Sequence, residues 1–103
     1  MIPHSVLAMT AEELSLLQSI LKRYTPDFKV WAFGSRVTGA YKPYSDLDLA
    51  LVGEEPISIE TRAALSEALS NSALPYKVDI VDWASTSEGF KQIIKKQKLV
   101  IQL

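Results

Sequence analysis

Apolar positions along this chain recur in two rhythms. Leu14, Leu17, Ile20, Leu21 and Tyr24 repeat at helical spacing, which predicts an amphipathic helix. Thr10 opens it with Glu13 three residues on, the arrangement of a capping box. Thr25-Pro26-Asp27 ends it, because proline disfavours helix before it and has no N–H to donate. Lys29 to Phe33 is a β-branched and aromatic run that predicts a first strand, stopped by Gly34-Ser35. Arg36 to Tyr41 reads as a short helix or turn, and Lys42-Pro43-Tyr44-Ser45 as a loop.

The rhythm then changes to strict alternation. Asp46 to Val52 predicts a second strand, with Leu47, Leu49 and Leu51 on one face and Asp46, Asp48 and Ala50 on the other. Gly53-Glu54-Glu55-Pro56 breaks it. Ser58 opens a second long helix to about Ser70, turning Leu65, Ala68 and Leu69 inward. Tyr76 to Trp83 predicts a third strand. Ser85 and Glu88 offer another capping box ahead of a last helix marked by Phe90, Ile93 and Ile94. Leu99-Val100-Ile101 is short enough for an edge strand. Helices alternating with strands define an α/β or α+β class, a small sheet covered by helices.

Composition narrows the function classes. A chain of 103 residues suits one domain spanning residues 1–103. Its 48% hydrophobic and 22% charged residues are those of a folded chain. A formal net charge of −1 lacks the positive field of a nucleic-acid coat or a polybasic membrane binder, so no direct nucleic-acid binding is expected. With no cysteine, thiolate metal sites, disulfides and thiol catalysis drop out. The sole histidine, His4, stands near the start, which argues against a multi-histidine metal site. Met1-Ile2-Pro3-His4-Ser5 has neither a basic nor a long apolar leader region, and no apolar run approaches a membrane span. A cytoplasmic address is the expectation.

The chemistry concentrates between Gly34 and Leu49. A strand ends in Gly34-Ser35, Gly39 follows, then a loop, then two aspartates two residues apart. On a strand, Asp46 and Asp48 point the same way with α-carbons about 6.6 Å apart. Two ionised carboxylates so close repel each other, and a cation relieves them. Magnesium suits hard oxygen ligands and bridges them to phosphate. Gly34 lets backbone approach a ligand closely, the amides after it can form an anion nest, and the Ser35 hydroxyl can donate to a phosphate oxygen. Arg36 and Lys42 are nearby cations that can reach a triphosphate, or serve as ordinary surface charges. Alternation on the third strand puts Asp79 with Val81, opposite Val78, Ile80 and Asp82. If that strand lies beside the second, Asp79 joins Asp46 and Asp48 as a metal ligand or as a base for an attacking hydroxyl. The set describes metal-assisted phosphoryl or nucleotidyl transfer.

The run Gly34-Ser35, Gly39, Ser45-Asp46-Leu47-Asp48-Leu49 resembles the signature of the polymerase-β-type nucleotidyltransferase superfamily. The short chain, with little outside that core, resembles in particular the minimal nucleotidyltransferases encoded beside HEPN-domain proteins. The likeness covers most of the chain, from about Lys29 onward. It implies a mixed sheet, a magnesium ion and a nucleoside triphosphate, ATP. It assigns metal binding and catalysis to Asp46, Asp48 and Asp79, and nucleotide contact to Gly34 and Ser35, with Arg36 and Ser45 in the same motif. It implies an antitoxin that transfers AMP to a tyrosine of a HEPN ribonuclease toxin. Thr38 stands where the family often carries arginine.

Two other functions compete. One is a catalytically weak or inactive antitoxin that binds its toxin and blocks it sterically. The other is a stand-alone small-molecule nucleotidyltransferase, against which the lack of residues for a second domain counts. Trp31 and Trp83 are expected in the core. Lys91, Lys95, Lys96 and Lys98 suit a solvated helix end. Tyr41 and Tyr44 suit a loop surface.

Overall fold

Period-two sequences pair into the centre of this molecule, and period-3.6 sequences cover them. The computed structural model describes residues 7–103; His4 and the segment read for a leader lie outside the described residues. The elements run α1 (Ala11–Tyr24), β1 (Lys29–Phe33), α2 (Ser35–Thr38), β2 (Leu47–Val52), α3 (Ile59–Ser70), β3 (Val78–Asp82), a 3₁₀ turn (Trp83–Ser85), α4 (Glu88–Gln97) and β4 (Leu99–Gln102). The sheet order is β3-β2-β1-β4. β1 pairs antiparallel with β2 and β4, while β2 and β3 run parallel. The sheet is therefore mixed, and α3 serves as the crossover that a parallel pair requires.

Alternation decides the two faces. Leu47, Leu49 and Leu51 are fully buried with Val30, Ala32 and Ile80 against Leu17 and Leu21 of α1 and Leu65 and Leu69 of α3. The other face is thinner: Phe33 and Ala50 pack with Ile94 of α4, flanked by Trp31, Val81 and Trp83. The tryptophans are half-buried rather than core, meeting edge to face at 5.1 Å. Lys98 lies 4.3 Å from the Trp31 ring, and Lys91 and Lys95 lie over Trp83, so these lysines partly lid the aromatics.

The helix ends follow their local chemistry. The Thr10 hydroxyl accepts from the Glu13 N–H at 3.0 Å and Glu13 Oε1 accepts from the Thr10 N–H at 3.1 Å, a complete capping box. Ser58 caps α3 by accepting from the Thr61 N–H. The cap expected at Ser85 moves two residues on. Trp83–Ser85 closes into a 3₁₀ turn, Ser85 donates to Asp82, and Ser87 caps α4 by accepting from the Phe90 N–H.

Candidate active site

β1, β2 and β3 bring one row of side chains to the α4 face. In register, Phe33 of β1 stands opposite Asp48 of β2, and Asp48 stands opposite Asp79 of β3. Neighbouring strands lie about 4.8 Å apart, so the two carboxylates are lateral neighbours. Asp46 immediately precedes β2 and is exposed. Phe90 of α4 meets Phe33 edge to face at 5.7 Å, an apolar wall beside the carboxylates.

Gly34 makes room for this row. It sits at φ +83°, and a Cβ built there collides with the Oδ2 of Asp48. Only a residue without a side chain both adopts this turn and leaves the Asp48 carboxylate its place. Ser35 begins α2, whose single turn is closed by Val37 and Thr38 N–H groups donating to the Gly34 carbonyl. The Gly34-Ser35 backbone thus runs directly beside Asp48.

Electrostatics single out Asp48. Burial pushes its carboxyl above the ordinary range, and the charges of Asp79 and Asp46 push it further. One carboxylate feels both others, a strained charge arrangement that a divalent cation would relieve. Among the described residues, no three histidine, aspartate or glutamate side chains are already drawn into a ligating cluster. The donors share a face and repel; they are not closed up. Their hard oxygen chemistry fits magnesium. Lys77, which the sequence reading did not single out, holds Asp79 in an ion pair at 3.4 Å. With the Lys77 side chain 71% exposed, this pair is weak and easily exchanged.

Two motif residues take other work. Arg36 is only 4% exposed, and its guanidinium is spent on carbonyls. Nε donates to Ser45 at 2.8 Å, Nη1 to Ala8 at 2.9 Å, and Nη2 to Pro43 at 2.8 Å and Lys42 at 3.4 Å. Arg36 is thus not the ordinary surface charge that the sequence also allowed. The carbonyls of a tight loop need donors, and the fork beside them supplies three, with a fourth bond to Ala8. The Ser45 hydroxyl closes the same loop by accepting from the Lys42 N–H at 2.8 Å. Lys42 itself is exposed. A cavity of about 520 Å³ between α3 and β3 is lined by Arg62, Ser66, Tyr76, Lys77 and Asp79 among others, and adjoins the row only at Asp79.

A strand-turn-helix glycine approach beside paired aspartates on a mixed sheet defines the polymerase-β-like nucleotidyltransferase class. The chain belongs to the family described as Polymerase beta, Nucleotidyltransferase, which matches residues 16–102, and within it to the minimal, MntA-like branch. It is 53% identical over 96 residues to the Probable protein adenylyltransferase MntA of Haemophilus influenzae, covering 93% of this chain and 84% of that protein. A toxin–antitoxin crystal structure with AMP-PNP contains a chain that is 27% identical, with a TM-score of 0.73 over 85% of this chain and 71% of that one. A complex of tri-AMPylated Shewanella oneidensis HEPN toxin with MNT antitoxin contains one sharing the fold at 24% identity, with a TM-score of 0.67 over 90% and 71%.

Proposed function

We propose that this protein is the antitoxin of a HEPN toxin–antitoxin pair and transfers AMP from ATP to a tyrosine hydroxyl of its partner. The carrying observation is the row Asp48–Asp79, with Asp46 one turn of the pleat away, beside the Gly34-Ser35 approach. The 53% identity to a protein adenylyltransferase supports the same reading.

In this reading Asp46, Asp48 and Asp79 hold the magnesium. When bound, the ion supplies charge relief to the carboxylates and polarises the α-phosphate. Gly34 and Ser35 present backbone amides and a hydroxyl to the phosphate oxygens. The tyrosine oxygen attacks the α-phosphorus, the bond from that phosphorus to the bridging oxygen breaks, and pyrophosphate leaves with the electron pair. As the alternative to holding the ion, Asp79, released from Lys77, takes the tyrosine proton. No helix among the described residues is long and apolar enough to cross a membrane, and we place the reaction in the cytoplasm beside the toxin.

The test is incubation of the protein with α-labelled ATP, magnesium and the partner toxin. Label on a toxin tyrosine is expected, and none with folded Asp46→Asn/Asp48→Asn. Full neutralisation of the toxin in cells by that double variant would establish steric blocking instead. Label on an added aminoglycoside and not on the toxin would establish the small-molecule enzyme.

A further inference from the structure

Arg36 touches three separate segments, and two of them lead directly into the carboxylate row. Its Nε and Nη2 bonds to Ser45 and Pro43 fix the loop that enters β2, one residue before Asp46. Its guanidinium carbon lies 3.8 Å from the ring centroid of Tyr76, three residues before Asp79. Its Nη1 bond to Ala8 is returned by the Ala8 N–H, which donates to the Arg36 carbonyl at 2.9 Å.

Tyr76 is anchored in turn. Its hydroxyl donates at 3.0 Å to Glu13 Oε1, the oxygen that also closes the α1 capping box. Burial, and then the Glu13 bond, hold the phenol proton well above its ordinary range, while Arg36 pulls the other way. The hydroxyl thus remains a donor at any working pH.

β2 and β3 are held together by their own ladder, which starts where the Leu47 N–H donates to the Lys77 carbonyl at 2.9 Å; the residues before Leu47 lie outside it. Asp46 lies outside β2 altogether. Its place is set by the loop, and the loop's carbonyls are set by Arg36. We infer that Arg36 is a positioning residue: by clamping the entry loop of β2 against Tyr76 at the entry of β3, it sets the spacing of Asp46 and Asp79 about Asp48 and thereby the affinity for a divalent cation. The fork geometry is essential, because one planar group must serve Ser45, Pro43 and Ala8 while stacking on Tyr76. A lysine keeps the charge and loses the fork.

This inference rests on the proposed reading that the three aspartates hold the ion. It is tested by titrating the full chain, without nucleotide, with Mn²⁺ followed by electron paramagnetic resonance, well below the unfolding temperature. Arg36→Lys should weaken Mn²⁺ binding by about 10-fold or more, the scale at which groups orienting metal ligands act. Tyr76→Leu should weaken it in the same direction by less, and Tyr76→Phe, which keeps the ring, should stay close to wild type. ATP affinity in EDTA should not change in Arg36→Lys. Should Arg36→Lys fail to fold, Tyr76→Leu decides. Wild-type Mn²⁺ affinity in the folded Arg36 or Tyr76→Leu variant overturns the positioning role. So does a loss of metal-free ATP binding with Mn²⁺ affinity intact, which would return Arg36 to the phosphates. Asp46→Asn/Asp48→Asn serves as the separate control. If Mn²⁺ affinity survives there, the three-aspartate site itself fails; if it is lost there but kept in the Arg36 and Tyr76 variants, only the positioning role fails.

Discussion

At the scale of single residues, the site is a contest between close approach and repulsion. Gly34 yields its side-chain space to Asp48. Gly34→Ala should cost about 1–3 kcal/mol from the positive φ and the collision together. Urea denaturation reads that loss, and AMP transfer should fall with it as Asp48 is displaced. Asp48 carries the opposite kind of strain. Because its folded carboxyl holds the proton to higher pH than the unfolded chain does, its contribution to stability is full at acid pH. That contribution is lost as pH rises through the shifted value. Metal-free Asp48→Asn should therefore melt a few degrees above wild type at neutral pH, the gap closing toward acid. Magnesium should raise the wild-type Tm and leave the variant unmoved, since only an ion that binds the folded state stabilises it. Both effects appear in thermal scans with and without EDTA.

At the scale of elements, the central strand β2 carries the fold on one face and the chemistry on the other. Leu49 is fully buried between α1 and α3 while its neighbour Asp48 faces α4. Leu49→Ala should cost about 2–5 kcal/mol by opening a cavity in that core, measured by urea midpoint. Transfer activity should persist at temperatures where the variant remains folded. The alternation Leu47-Asp48-Leu49 made this division legible in the sequence, as did the Thr10–Glu13 box and the Ser58 cap. The cap at α4 was not legible. Ser85 and Ser87 both precede a plausible first turn, and only the 3₁₀ turn after Asp82 selects Ser87. The role of Arg36 was hidden for a related reason. Its partners Ala8, Ser45 and Tyr76 lie up to 40 residues away along the chain, and spacing carries no record of such long-range contacts. Lys77 beside Asp79 was visible as a charge next to a charge, but not its choice of partner.

At the scale of the whole molecule, a thick apolar layer of α1 and α3 on one side leaves the opposite side thinly covered by α4. The carboxylates open on that thin side, where a second protein's hydroxyl can reach them. The β2–β3 register is what brings Asp79 to Asp48; a one-residue slip would carry it to the face packed on α1 and α3. The proposed function thus depends on that register meeting a divalent ion opposite Gly34-Ser35. The most direct test is anomalous scattering from crystals of the protein grown with Mn²⁺ and a non-hydrolysable ATP analogue. The account predicts a Mn²⁺ peak bonded to carboxylate oxygens of Asp46, Asp48 and Asp79, with the phosphates against Gly34-Ser35. A nucleotide bound with its phosphates elsewhere, or a Mn²⁺ peak remote from these aspartates, would contradict it.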